Sequence, residues 1–191
     1  GTAVRRDPVP AAARDRVVLV AQRLEQEKET AVALRAFERS GLATEGWRLR
    51  VAGTGSEEAM LRRLAVDLGV DHAVDFLGHV LDIDAELDSA AVMLAPRSAE
   101  DFGLSVLEAM AAGLPVVGSR AAGHLETAGR AAHATLFPPG DADEAARLLR
   151  GLAGNEATRA AYGQELVDIQ RSHFTVDEQE RRTASVYRSA L

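Results

Sequence analysis

From Arg16 onward, short apolar runs rich in β-branched residues alternate with segments of helical periodicity, and few folds accommodate that alternation. The runs are VVLVA at 17–21, WRLRVAG at 47–53, VDFLG at 74–78, VMLAP at 92–96, PVVGS at 115–119 and ATLFP at 134–138. Helical patterns are expected between them over Thr30–Arg39, after Ser56, around Ile83–Leu87 and over Phe102–Ala112. Strands joined through helices run parallel, because such a crossover returns the chain to the same end of the sheet. VVLVA and PVVGS barely alternate, as strands covered on both faces do not. The expectation is an α/β fold, a parallel sheet between two helical layers, with ATLFP as a weak edge strand. Beyond Asp141 the chain reads as helical: AARLLRGLA, a segment from Asn155 to about Ser172, and a last helix opened by the capping box Thr175-x-x-Glu178.

Composition narrows the function classes. With 191 residues and 47% hydrophobic content the chain suits one domain, expected over 16–191, preceded by a proline- and alanine-rich linker or leading arm at 1–15. A formal charge of −7 argues against a nucleic-acid binder, while leaving room for a local basic pocket that takes a small anion. The absence of cysteine excludes disulfides and thiolate metal ligands. No apolar run approaches the roughly 18 residues of a membrane span. The chain opens on Gly1 without a signal-like region, so the default expectation is a cytoplasmic, processed or truncated chain.

The residues that point to chemistry are Glu100 and Glu108, eight positions apart in SAEDFGLSVLEAMAAGLPVV. Glu100 falls on a loop, Phe102-Gly103-Leu104 forms the turn, and Glu108 stands about two turns into the helix, so both acids can reach one ligand at the helix N-terminus. Local capping is the plainer role for Ser98, Glu100 and Asp101. Among 21 arginines the single lysine, Lys28, stands out, although a GC-rich coding bias or chance also accounts for the imbalance. Asp82-Ile83-Asp84 and Asp141-Ala142-Asp143 both precede helical segments and read as helix caps rather than metal ligands. No His/Cys cluster has zinc spacing and no Ser/His/Asp nucleophile set is evident.

Taken together these residues resemble the donor-binding half of the GT-B fold, a Rossmann-like domain, and specifically the retaining glycosyltransferases of family 4. The resemblance runs from about Arg16 to Leu191 and is most specific in EDFGLSVLEAMAAGLPVV at 100–117, which is similar to the family's two-glutamate signature with its aromatic-glycine turn and closing Gly-x-Pro-Val-Val. It implies that Glu108 holds the ribose hydroxyls of a nucleotide-diphosphate sugar and that Glu100 contacts the transferred sugar. The backbone of Phe102, Gly103 and Leu104 would face the sugar and diphosphate. Arg23 and Lys28, in AQRLEQEK, occupy the places of the family's diphosphate-gripping cations, whose charge serves where other transferases use a metal. The family has glycine before that arginine and often after that lysine; here Gln22 and Glu29 stand there.

By the same resemblance Gly53 and Gly55, in VAGTGS, border the nucleotide cleft, and His79 and Val80 neighbour the base. A third glycine is missing from VAGTGSEEAM, which disfavours a nicotinamide or flavin site. AAGHLE at 121–126 resembles the family's Gly-Gly-x-x-Glu loop, with Ala122 replacing the first glycine, His124 where an aliphatic residue is common, and Glu126 orienting the loop. The implied activity is metal- and cofactor-independent transfer of a sugar to an acceptor hydroxyl, UDP being the expected nucleotide from family breadth. The partner implied is an N-terminal acceptor-binding domain outside this chain, without which transfer is weak or absent and through which association with a membrane surface stays open. Two alternatives stand beside it. A non-catalytic nucleotide-sugar-binding module derived from a transferase would keep Glu108 and the basic pair. An epimerase or hydrolase on a Rossmann-like sheet predicts a cofactor fingerprint or a Tyr-x-x-x-Lys pair, and neither Tyr162 nor Tyr187 has that lysine.

Overall fold

The computed structural model describes residues 8–175. Six strands form one parallel sheet: β1 (Val17–Ala21), β2 (Arg48–Ala52), β3 (Val74–Gly78), β4 (Val92–Ala95), β5 (Val116–Ser119) and β6 (Thr135–Phe137). Their order is β3-β2-β1-β4-β5-β6, so the chain moves outward from β1 to one edge, returns beside β1, and moves out to the other edge. Right-handed crossovers then place helices on both faces and open a crevice at the carboxyl ends of β1 and β4, where the direction reverses.

The helices are α1 (Thr30–Ser40), α2 (Glu58–Asp67), α3 (Ile83–Ser89), α4 (Leu104–Ala111), α5 (Ala122–Glu126), α6 (Ala142–Ala153) and α7 (Glu156–His173). α1 packs on α2 and α6, and α4 packs on α7. Every residue of β4 and β5 is buried, as are the first four of β1, whereas edge strand β3 is only half-buried beyond Val74. That gradient explains why VVLVA and PVVGS lack alternation. Burying each such Val, Leu or Met side chain contributes on the order of 1.5–3 kcal/mol.

Two local expectations need correction. The fourth helix begins at Leu104, not Phe102, because Gly103 takes a left-handed conformation (φ 73°) that ends the loop rather than starting the helix. AAGHLE, read as a loop, forms the five-residue α5, too short for its periodicity to show in the sequence. The two Asp-x-Asp pairs do cap: Asp82 accepts from the Ala85 amide and Asp141 from the Glu144 amide. Within the leading segment Arg14 is anchored, donating to the carbonyls of Leu87, Ala90 and Ala112 at 2.6, 2.8 and 2.6 Å. The capping box at Thr175 and Glu178 falls outside the described residues.

Candidate functional site

The loops that follow β1, β2, β4 and β5 meet at the carboxyl edge of the sheet, and glycines allow them to meet closely. A Cβ on Gly53 would lie 1.9 Å from the Gln22 carbonyl oxygen, and one on Gly55 2.2 Å from that of Leu24. These glycines therefore serve the contact between the β2 turn and the β1 loop. Gly123 does the same for α5, since a Cβ there would come within 2.6 Å of the Phe102 amide nitrogen; its own amide donates to the Glu100 carbonyl at 2.8 Å.

At the switch between β1 and β4 this packing gathers three charges. Lys28 Nζ lies 3.8 Å from Glu100 Oε2, and Arg97 Nη1 lies 3.1 Å from the same oxygen. Glu100 Oε1 accepts from the Gly103 amide at 3.1 Å, so the acid caps its own turn as it holds the cations. All three side chains are largely buried, with 16–23% of their side-chain surface exposed. Burial alone would raise the Glu100 pKa, yet Arg97, the Gly103 amide and Lys28 outweigh it and hold the carboxyl below its ordinary value. Glu100 is thus an ionised acceptor in fixed orientation.

Glu108, on α4, is built in the opposite way. It is partly buried, and its carboxylate makes no hydrogen bond or ion pair among the described residues. Burial pushes its pKa up, and the nearby Asp84 carboxylate adds to the rise. An unpaired, partly desolvated carboxylate is an acceptor that two neighbouring hydroxyls can satisfy.

The other candidates divide. Arg23 is exposed and pairs with Glu27 at 3.6 Å. His79 is exposed and Val80 half-buried, both just beyond β3. Phe102 sets its ring edge-on to Phe174 beyond α7, at 6.5 Å between centroids; Leu104 opens α4 and is 58% exposed. His124 is buried beneath Gly103, its ring Cδ2 3.4 Å from where a Cβ would stand. Its Nδ1 donates to the Ser119 carbonyl at 2.8 Å and burial lowers its pKa, which leaves a neutral ring suited to packing rather than proton transfer.

Arg97 was not anticipated. The available signal was a cation three positions before Glu100, but in an irregular loop that spacing carries no fixed geometry. Among the described residues no group of three or more His, Asp or Glu side chains is arranged to hold a metal ion, and no helix is long and apolar enough to cross a membrane.

Comparisons with known proteins bear on the family and the fold. The family profile described as glycosyl transferases group 1 matches residues 4–166. An exopolysaccharide phosphotransferase of Streptomyces coelicolor is 32% identical over 152 residues, which are 78% of this chain and 16% of that protein. Among solved structures, a mutant of S. aureus TarM in complex with UDP and other ligands superposes with a TM-score of 0.88 at 15% identity, over 97% of this chain and 38% of that one. Anabaena HepE in complex with UDP superposes with a TM-score of 0.81 at 23% identity, over 94% and 50%. At these identities the structures show a shared fold, the Rossmann-like α/β domain found in GT-B glycosyltransferases. The chain spans only a part of each of these proteins. By the family profile that matches most of its length, this chain belongs to the glycosyl transferases group 1 family.

Proposed function

We propose that this domain is the C-terminal, donor-binding half of a retaining glycosyltransferase of family 4, and that it holds a nucleotide-diphosphate sugar in the crevice between β1 and β4. The observation that carries the reading is the pair of unlike glutamates before and on α4, Glu100 locked by two cations and the Glu108 carboxylate without a hydrogen-bond partner among the described residues. Lys28 exchanges Glu100 for the diphosphate when donor binds, while Arg97 and the Gly103 amide keep Glu100 directed at sugar hydroxyls. Arg23, freed from its exposed partner, joins Lys28 on the diphosphate. Charge growing on the departing nucleotide is then met by fixed cations without a metal. Glu108 accepts from both ribose hydroxyls, with the β3 end at His79 and Val80 beside the base. UDP is the proposed nucleotide, in keeping with the UDP present in the Anabaena and S. aureus complexes.

Acceptor binding belongs to an N-terminal domain of the same enzyme, so this chain alone binds donor and transfers weakly or not at all. The full enzyme acts in the cytoplasm, and any contact with a membrane surface runs through that other domain. A thermal-shift screen against UDP-, GDP- and ADP-sugars tests the reading, since a ligand selective for the folded state raises its melting temperature by mass action. A folded chain whose melting is unmoved by all three sinks it. The name of the Streptomyces relative favours phosphoryl transfer as a second reading. Product analysis with the two-domain enzyme separates them, a glycoside marking the first and a phosphosugar linkage the second.

A further inference from the structure

Glu29 is the only non-glycine residue with positive φ among those described, at φ 54° and ψ 34°. A side chain in this left-handed region is strained, and such strain persists where surrounding contacts over-determine it. Glu29 directly follows Lys28 and precedes α1, yet its carboxylate does not cap that helix. It crosses the β1–β4 crevice and accepts the Ser98 amide at 2.5 Å, linking residues 69 apart in sequence. Ser98 lies between Arg97 and Glu100, the two residues that complete the charge cluster with Lys28.

The other side of Lys28 is held as well. Gln22 Nε2 donates to the Lys28 carbonyl at 2.9 Å and to Thr30 Oγ1 at 2.9 Å. The main chain of Gln22 is fixed in turn, its amide donating to the Ala52 carbonyl at 3.0 Å. The residue carrying the buried ammonium is therefore tied back to the end of β1 and across to the β4–α4 loop. Glycine at 29 would relax the left-handed backbone, and glycine at 22 and 29 would provide neither tie.

We propose that Gln22 and Glu29 are positioning residues: they lock the turn bearing Lys28 onto the loop bearing Arg97 and Glu100, so that Lys28 and Glu100 meet one nucleotide-diphosphate sugar in a preset geometry. The inference rests on the donor-site reading above. The gain is preorganisation, since ordering this turn no longer has to accompany binding. Neither residue needs to touch the donor.

The test uses the whole chain with Glu29→Gly, Glu29→Gln and Gln22→Gly, and two readouts. Without ligand, amide hydrogen exchange at Ser98 should quicken at least about tenfold in Glu29→Gly and stay near wild type in Glu29→Gln, which keeps an acceptor oxygen. Calorimetric titration with UDP-, GDP- and ADP-glucose should then show the bound donor weakened roughly 5- to 20-fold in both glycine variants and within about twofold in Glu29→Gln. The melting temperature of Glu29→Gly should not fall far, because glycine relieves the left-handed strain. Unchanged exchange at Ser98 in Glu29→Gly would overturn the tether. Faster exchange with unaltered donor affinity would overturn the positioning role, leaving a purely structural bond. A wild-type chain that takes none of the three donors would sink the donor-site reading, and the positioning role with it, while exchange at Ser98 still reported whether the tether exists.

Discussion

The loop before α4 and the first turns of α4 each carry one glutamate, and they are built to opposite rules. Glu100 is surrounded by Arg97, Lys28 and the Gly103 amide, so its charge is stabilised before any ligand arrives. Glu108 is partly buried beside Asp84, so its charge is tolerated at a cost. A carboxylate that is already satisfied contributes direction, while one that is not gains most from a ligand that satisfies it. Two acids alike in sequence thus divide into one already satisfied and one left to be satisfied, the division on which the proposed orienting and binding roles rest.

Removing the cation shared with the ligand breaks the contrast most severely. Lys28→Met should weaken donor binding by about 2–3 kcal/mol, roughly 30- to 150-fold by calorimetry, because the diphosphate loses a buried cation that outweighs the Lys28–Glu100 pair given up on binding. Glu100→Gln comes next. It should lower folding stability by about 1–2 kcal/mol in denaturant unfolding at neutral pH, as a charge-assisted pair with Arg97 becomes a neutral hydrogen bond.

The sign of its pH dependence is fixed by the depressed folded pKa. The stabilisation is present above the ordinary value of 4.5 and is lost as pH falls through the lower folded value, so wild type and Glu100→Gln should converge in acid. For Glu108→Gln the sign reverses. A folded pKa raised above 4.5 means that stability present below that value is lost as pH rises through the folded value. The variant should match wild type in acid and exceed it at neutral pH by up to about 1 kcal/mol, even as it loses donor binding. A neutral-pH deficit would show that Glu108 has a stabilising partner. The smallest effect is expected from Asp84→Asn: in that background the neutral-pH gap between Glu108 and its Gln variant should narrow, with stability changed by no more than about 0.5 kcal/mol.

Most of the fold was legible because its strands are buried on both faces and its helices are long enough to show a period. The site was legible in part. Glu100, Glu108 and Lys28 are marked by residue type and spacing, and the structure gathers Lys28 with Glu100. Arg97 was hidden because its partner is set by loop geometry rather than by a regular repeat. Gly53 and Gly55 were visible as glycines, but what they accommodate is the neighbouring β1 loop, a contact between segments about thirty residues apart. Glu29 concealed the most: a glutamate gives no sign of a left-handed backbone, and its bond to Ser98 exists only once β1 and β4 lie side by side. Short elements such as α5 escape for a related reason, since five residues cannot establish a period.

The division of labour between the two acids is tested most directly by titrating wild type, Glu108→Gln and Glu100→Gln with UDP and, separately, with UDP-glucose. Glu108→Gln should lose affinity for both ligands by the same factor, about 10- to 100-fold, because the ribose is common to them. Glu100→Gln should bind UDP within about threefold of wild type and lose the extra affinity that the glucose confers. Equal weakening of UDP by both variants, or Glu108→Gln binding UDP as wild type does, would contradict the assignment.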